Sequence, residues 1–166
     1  MFYTKSHFQP ETPEEVFDLV DEVVLGTLVS ATGPGVQISH PVFMADRARN
    51  RLVSHVARGN DHAALIETGA VSTAILMDPG AYLSASWYPA APARDSAPTW
   101  AFRVAHFTGR VEPMSEAATA RHLSDLVAHM ERGRPGPWRM GELGPGGLER
   151  VELGAVYAAL RADDEQ

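Results

Sequence analysis

Hydrophobic positions in two segments recur every three to four residues, which predicts two amphipathic helices. One segment follows Thr12-Pro13-Glu14-Glu15, a capping box with proline at the first helical position, and the other follows Ser115. Their apolar positions are Val16, Leu19, Val20 and Val23 in the first and Ala120, Leu123, Val127 and Met130 in the second. Gly133 is a stop signal for the second helix. His122 and His129 lie on the opposite, polar face of that helix, where we expect them to be exposed to solvent.

Runs of apolar and β-branched residues predict about six strands. Six of the runs are Leu25–Ala31, Val36–Met44, Leu52–Ala57, Val71–Met77 and the two arms of an aromatic hairpin, Ala81–Tyr88 and Thr99–Thr108. Ala155–Leu160 is a candidate for a final strand. The first three strands are joined by polar turns, as in an antiparallel meander. Asp78-Pro79-Gly80 predicts a turn, Gly109 predicts a bend or bulge, and a short helix is expected from Asp61 to Glu67. The pattern fits a small closed or split antiparallel barrel, in a single domain spanning residues 1–166 with a disordered tail from Arg161.

The aromatic hairpin holds two of the three tryptophans and two of the four tyrosines. Trp87 and Tyr88 end its first arm, and Trp100 and Phe102 begin its second. A Pro/Ala-rich loop, Pro89–Pro98, joins the arms and is long enough to form a rim or lid. Aromatic walls of this kind either close a core or receive a flat ligand, and composition does not choose between the two.

Composition and charge remove several classes of function. The chain has no cysteine, which excludes thiolate catalysis and cysteine-bound metal, and Lys5 is its only lysine. A formal net charge of −7 without a basic cluster disfavours a nucleic-acid partner. No apolar run has transmembrane length and no signal peptide is recognisable, so we expect a cytoplasmic protein with no membrane partner.

The segment Ser54–Asn60 places His55, Arg58 and Asn60 at the end of a predicted strand. A neutral imidazole there could bind iron, and an arginine could pair with a propionate or phosphate. Spacing alone favours structural roles, with His55 a half-buried strand residue and the other two residues in a turn and a helix cap. The same structural reading applies to His40 and His106, which also lie in predicted strands.

Several short segments occur along the chain in a characteristic order and spacing: Phe2-Tyr3 through His7-Phe8, Gly26–Val29, Ser39-His40-Pro41, His55–Asn60, Gly80–Pro89, Pro98-Thr99-Trp100 with His106 and Gly109, and Pro137-Trp138-Arg139. In these segments the chain resembles the PaiB-like family of FMN-binding negative transcriptional regulators and the related haem-dependent piperazate synthases. The resemblance implies a mainly β fold with flanking helices, the split β-barrel of flavin reductases and pyridoxamine oxidases. It also implies a homodimer with cofactor sites at the subunit interface.

For the piperazate synthases, the resemblance implies that His55 is the axial ligand of haem b and that Arg58 contacts a propionate. The macrocycle would lie against Trp87, Tyr88, Trp100 and Phe102, with Asn60 holding the adjacent loop. The implied reaction forms an N–N bond on an N-hydroxylated amine, with haem iron as the Lewis-acidic or redox centre. Tyr88, His40 and His106 are the candidates for proton transfer.

The alternative cofactor is FMN, in an oxidoreductase or a transcriptional regulator. Flavin-type members usually carry a lysine where this chain has Ala90-Ala91 and an asparagine where it has Ala101, and the sequence is short at its C-terminal end. The first and third differences weaken the flavin interpretation more than the haem interpretation. A third hypothesis is a cofactor-free dimer that binds a small molecule.

Overall fold

Seven antiparallel strands form a single sheet in the part of the chain that the computed structural model describes, residues 5–89, 96–153 and 155–162. The strands are β1 (Thr27–Thr32), β2 (Gly35–Ser39), β3 (Phe43–Asp46), β4 (Arg51–Ala57), β5 (Val71–Leu83), β6 (Thr99–Pro113) and β7 (Ala155–Ala162). Their order across the sheet is β2-β1-β5-β6-β7-β4-β3. The helices are α1 (Pro13–Val23), α2 (His62–Glu67), α3 (Glu116–Met130) and α4 (Gly147–Leu153). Short 3-10 turns lie at Ser6–Phe8, Arg47–Arg49, Ala85–Trp87 and Met140–Glu142.

β2 and β3 are the two edges of the sheet, and the start of β3 contacts the segment that precedes β1. An isolated antiparallel bridge joins Leu25 to Val42. Gly26 N–H donates to the Pro41 carbonyl at 3.0 Å, and Phe43 N–H donates to the Val24 carbonyl at 2.7 Å. These few bonds join the segment before β1 to the start of edge strand β3 without forming a full ladder.

The prediction of one strand over Val36–Met44 is wrong, because the chain breaks at His40-Pro41 into β2 and β3. β2 pairs with β1, whereas β3 pairs with β4, so the segment changes partner at the break. Pro41 has no N–H to continue a ladder, and its carbonyl accepts from Gly26 instead. The expected three-stranded meander is therefore two hairpins that meet at a corner.

Asp78-Pro79-Gly80 is also not a turn between strands. β5 runs continuously from Val71 to Leu83 and pairs with β6 on both sides of a register shift between Asp78 and Ala81. Gly80 has φ +58°, and a Cβ there would lie 1.8 Å from the Ala101 carbonyl oxygen. The bulge therefore requires glycine at this position. It lies at Gly80, whereas we expected a bulge at Gly109.

The core lies inside the curved sheet and is covered by α1 and α2. Phe43, Leu52, Ile66 and Leu76 are at most 1% exposed, and Val20 of α1 is fully buried. The predicted first helix and its apolar stripe are confirmed, although Thr12 makes no side-chain cap bond and the Glu15 carboxylate accepts instead from Glu11 N–H at 3.1 Å.

The C-terminal elements agree with the predicted helix and strand, with one change at the tail. The Ser115 hydroxyl caps α3 by accepting from Ala118 N–H, and a final strand follows α4. Arg161 and Ala162, expected in a disordered tail, pair with β4 and β6 as part of β7. Within the described ranges, no helix combines the length and apolarity needed to cross a membrane.

Candidate functional site

His55 on β4 and His122 on α3 form an imidazole pair. His55 Nδ1 lies 3.2 Å from His122 Nε2, and the two ring planes make an angle of 66°. His55 is half-buried, and His122 is only 3% exposed. The expectation that His122 is a solvated surface residue is therefore wrong, because this face of α3 lies over β4 and not in water.

Both rings of this pair are held in the neutral form. Burial lowers the pKa of His55 below its ordinary value. Burial and the neighbouring His55 lower the pKa of His122 to about 4. Two neutral imidazoles can share one hydrogen bond, with one ring donating and the other accepting, whereas two imidazolium ions would repel each other.

The expectation that His129 is a solvated surface residue is also wrong, because its side chain is half-buried against α1. Its Nε2 donates to the Asp21 carbonyl of α1 at 2.8 Å. His122 and His129 thus connect α3 to β4 and to α1 respectively. The sequence signal that could have identified them is their spacing of seven, which places both on one helix face.

Asn60 has a structural role in a second, buried polar network. Its side-chain oxygen accepts from Ser39 Oγ at 3.0 Å and from the backbone N–H of His62 at 2.9 Å. His62 is fully buried, with Nδ1 2.7 Å from Ser39 Oγ and Nε2 3.0 Å from Ser30 Oγ. Ser30 in turn bonds Ser72 on β5.

The proton positions in this network follow from its acceptors. Ser39 donates to Asn60, so it must accept from His62 Nδ1–H, which leaves His62 Nε2 to accept from the Ser30 hydroxyl. This order requires a neutral His62. Burial favours the neutral ring, because it lowers the pKa of His62. Because Ser30 and His62 are both buried inside the barrel, their contact is part of a structural network and not a nucleophile with its base.

The network brings His40 and Arg58, two exposed residues that were predicted for the site, to the same end of the barrel. Ser39 precedes His40, and Asn60 follows Arg58 by two positions, so the Ser39–Asn60 bond ties the β2–β3 corner to the β4–α2 turn. His40 is exposed, with Nδ1 3.1 Å from Thr27 Oγ1, and Arg58 is exposed in the turn. His55 lies two residues before the end of β4, on the approach to this turn.

The predicted aromatic residues occupy the outer end of the β5–β6 ribbon. Tyr82 pairs with Trp100 across the two strands, and the ring centroids are 6.5 Å apart. Trp87 is 67% exposed, Phe102 is 56% exposed and Trp100 is 55% exposed. Trp100 Nε1–H donates to the Pro79 carbonyl at the bulge. Tyr88 is half-buried just beyond the 3-10 turn Ala85–Trp87.

Within one chain, this ribbon end is far from His55. His55 pairs with Tyr157 of β7, whose neighbour Ala158 pairs with Pro113 of β6. Trp100 lies about 13 residues before Pro113, which is roughly 40 Å along the strand at ~3.3 Å per residue. His106 occupies an intermediate position, exposed on β6 opposite Ile75. The predicted lid, Pro89–Pro98, and Ala90-Ala91 fall largely on residues outside the described ranges.

Two cavities adjoin the histidine pair. A cavity of about 10 Å³ lies inside the barrel beside His55, too small for anything beyond a single water. A cleft of about 580 Å³ lies between the β3–β4 hairpin and the first half of α3, with His122 in its wall. Among the described residues, no group of three histidine, aspartate or glutamate side chains is arranged to hold a metal ion.

Comparison with known proteins identifies the family. Residues 2–161 match the family model described as Putative FMN-binding domain. The chain is 26% identical to the protease synthase and sporulation protein PAI 2 of Bacillus subtilis (strain 168), over 99% of this chain and 78% of that protein. The PaiB-like resemblance is thus confirmed.

Solved structures share the fold. The FAD and heme binding protein from Mycobacterium smegmatis superposes with a TM-score of 0.70 at 19% identity, covering 96% of this chain and 70% of that chain. The flavocytochrome Anf3 from Azotobacter vinelandii superposes with a TM-score of 0.69 at 18% identity, covering 96% of this chain and 68% of that chain. The predicted fold class, a mainly β split barrel, is confirmed. With nearly its whole length matched by the family model, the chain belongs to the Putative FMN-binding domain family.

Proposed function

We propose that the protein is a haem-binding split-barrel enzyme in which His55 is the axial ligand of the iron. The observation that carries this proposal is the bond between His55 Nδ1 and His122 Nε2. Metal-binding histidines are typically oriented by a hydrogen bond from the second ring nitrogen, and they must be neutral. If His55 donates from Nδ1, its Nε2 carries the lone pair that iron requires.

The residues around His55 fit a haem group in part. Arg58, exposed in the turn after β4, would contact a propionate, as guanidinium groups commonly do with carboxylates. Asn60 would act indirectly, since its side chain fixes the turn that carries Arg58. The fold supports the proposal, because a protein with the same barrel is named as an FAD and heme binding protein.

A second copy of the chain would supply the aromatic wall. Tyr82, Trp87, Trp100 and Phe102 are each at least half exposed on one ribbon end, which is a large apolar surface for a monomer to leave in water. Because these residues lie far from His55 of their own chain, a cofactor between His55 and this ribbon requires two subunits. We therefore propose a homodimer with the cofactor at its interface.

The proposed reaction is N–N bond formation on an N-hydroxylated amine. Haem would supply a Lewis-acidic or redox centre when bound. An amine nitrogen would attack the hydroxylated nitrogen, the N–O bond would break, and water would leave. The protein must accept one proton from the amine and supply one to the leaving oxygen. His40 is the favoured candidate for this transfer because it is exposed at the same end of the barrel as Arg58, with Tyr88 and His106 as the others.

An FMN-binding oxidoreductase is the second candidate, and the family match favours it. Here Arg58 and backbone N–H groups of the β4–α2 turn would bind the phosphate, since the chain has only Lys5 as a lysine. A DNA-binding regulator is disfavoured by the net charge of −7. A cofactor-free dimer that binds a small molecule is the third candidate.

Absorption spectra separate these candidates. The protein is expressed with a haem precursor, and the purified protein is also incubated separately with hemin and with FMN. A Soret band that shifts on reduction and is lost in His55→Ala supports the haem enzyme. Flavin absorption with quenched fluorescence supports the FMN protein, and the absence of both spectra supports the cofactor-free dimer.

His7→Ala is the matched control for the ligand assignment. His7 is exposed in the N-terminal 3-10 turn, so its removal deletes one imidazole without touching β4. The Soret band should be unchanged in His7→Ala. Retention of the full band in a folded His55→Ala protein would overturn the assignment of His55.

A further inference from the structure

The cleft between the β3–β4 hairpin and α3 has the size and lining of a small-molecule site. Its volume of about 580 Å³ lies within the range of roughly 300–1,000 Å³ that is usual for ligand pockets. Met44, Val53 and Met114 give it an apolar floor. Its rim carries arginines from both sides, Arg49 and Arg51 from the hairpin and Arg121 from α3.

The charges in the cleft favour an anion, although the chain as a whole is acidic. Four arginines and two aspartates line the cleft, a formal surplus of two positive charges in a protein whose net charge is −7. Arg49 and Arg51 share a single carboxylate, Asp46, at 3.2 and 2.9 Å. Two guanidinium groups on one carboxylate retain a net positive charge beside the apolar floor.

Not all of this charge is available to a ligand. Arg47 also lines the cleft, but its guanidinium is paired with Asp18 and Asp21 of α1, at 2.8 and 2.7 Å. Arg121, in contrast, makes no ion pair within 4 Å with any residue of the described ranges, and it is exposed. Asp125 and Asp46 also line the cleft and would repel a second negative charge. These charges suit a monoanion better than a dianion.

We propose that this cleft binds a small organic acid, with its carboxylate on Arg121 and Arg49 and its apolar body on Met44, Val53 and Met114. Guanidinium groups bind carboxylates through two parallel hydrogen bonds, which makes arginine the residue suited to this contact. The apolar body would be a chain or ring of several carbons, large enough to displace water from the floor. The proposal is the same whether the cofactor is haem or FMN, because the proposed contacts to the acid do not include His55.

The proposal is tested by NMR titration of the isotopically labelled full chain with three matched probes, hexanoate, hexanol and hexylammonium. Hexanoate should shift the amide signals of Ala117, Ala118 and Arg121 and of the β3–β4 connection. Hexanol should bind at least about tenfold more weakly, because it lacks the charge-assisted contact. Equal binding of hexanol or hexylammonium, shifts centred on another surface, or no binding at all would overturn the proposal.

Two variants test the contacts separately. Arg121→Gln should weaken hexanoate binding about tenfold and leave hexanol unchanged, whereas Arg132→Gln, an exposed arginine just beyond α3, should change neither. Ala118→Leu should fill the cleft and weaken both probes, with Ala128→Leu on the same helix as its control. The Arg121 variant changes an exposed side chain, so it remains informative if the leucine variant fails to fold.

Inorganic phosphate completes the test as a compact, largely dianionic probe. We expect it to bind more weakly than hexanoate, since it has no apolar body and meets Asp46 and Asp125. Phosphate binding that exceeds hexanoate binding would contradict the assignment of an organic monoacid.

Discussion

His55 on β4 and His122 on α3 face each other, with 3.2 Å between Nδ1 and Nε2. The bond joins residues 67 positions apart and is one of the contacts that hold α3 over the sheet. It also fixes the ring orientation of the proposed axial ligand. The pair thus links the packing of a helix to the chemistry of the candidate site.

Replacing His122 by phenylalanine should weaken hemin binding by about tenfold or more. The substitution retains a ring against β4 but removes the acceptor for His55 Nδ1–H, and loss of such a partner commonly costs 10–100-fold in metal affinity. Hemin titration followed at the Soret band measures the effect. His129→Phe, the same change on the same helix, should leave affinity intact because His129 bonds α1 and not His55. Equal affinities for both variants would refute the positioning role.

The buried serine–histidine network should contribute measurably to stability. Ser30→Ala removes the donor to His62 Nε2 and the partner of Ser72, which leaves buried polar groups unsatisfied at a cost of about 1–3 kcal/mol. Urea denaturation measures the free energy of unfolding. Ser124→Ala, on the exposed side of α3, should change it by less than about 0.5 kcal/mol. A neutral result for Ser30→Ala would mean that the network adds nothing to stability.

The contribution of His62 should depend on pH. Its folded-state pKa is lowered by burial, so below its ordinary value of 6.5 the unfolded state binds more protons than the folded state. The contribution is fully present above that value and is lost as pH falls through the folded-state pKa. We expect the difference in unfolding free energy between wild type and His62→Gln to shrink between about pH 7.5 and about pH 5. A difference that stays constant or grows on acidification would contradict the neutral assignment.

Gly80→Ala should destabilise the outer end of the β5–β6 ribbon. The new methyl group would meet the Ala101 carbonyl oxygen at 1.8 Å, in a backbone conformation with positive φ. We expect a loss of at least about 2 kcal/mol in unfolding free energy, or detachment of the ribbon end visible as faster amide exchange beyond Asp78. Gly141→Ala, where a methyl group meets nothing within 4 Å, is the control. A Gly80→Ala protein with unchanged exchange and stability would show that the bulge tolerates a side chain.

Trp100→Ala should shift the protein towards monomers. Trp100 is 55% exposed on the ribbon that we assign to the dimer interface, and tryptophan is a frequent centre of binding energy in interfaces. Sedimentation equilibrium gives the dissociation constant, which we expect to rise at least tenfold. Trp138→Ala, a tryptophan 38% exposed away from the ribbon, should leave it unchanged. If the wild-type protein is monomeric at all concentrations, the proposal of a cofactor site formed by two subunits is wrong.

Local sequence signals predicted elements whose ends depend on local chemistry. The helix after Thr12-Pro13, the Ser115 cap of α3 and the strand Leu52–Ala57 were all expected, because caps, proline and apolar spacing act within a few residues. The change of partner at His40-Pro41 depends on distant strands, so a continuous apolar run concealed it.

The candidate site was less predictable, since it depends on contacts between distant segments. Helical spacing placed His122 on a polar face opposite the apolar stripe, whereas the structure buries it beside Thr119 and Leu123, against another histidine. Asn60 was expected in a turn, and its bond to Ser39 depends on the corner that the sequence did not predict. His62 carried no motif at all, and only its burial and its bonds to two serines, Ser39 and Ser30, reveal its role.

The position of β7 in the sheet also determines when the barrel can form during folding. β7 lies between β4 and β6, and its pairing joins Arg51 to Arg161, about 110 residues further along the chain. Until β7 is inserted, β4 and β6 each expose an unpaired edge to solvent. The pairing of β4 with β6 through β7 must therefore wait until Ala162 has been synthesised, and such long-range pairing folds slowly. Nascent chains with open edges are prone to pair with one another, so expression at low temperature with chaperones should raise the yield of native protein.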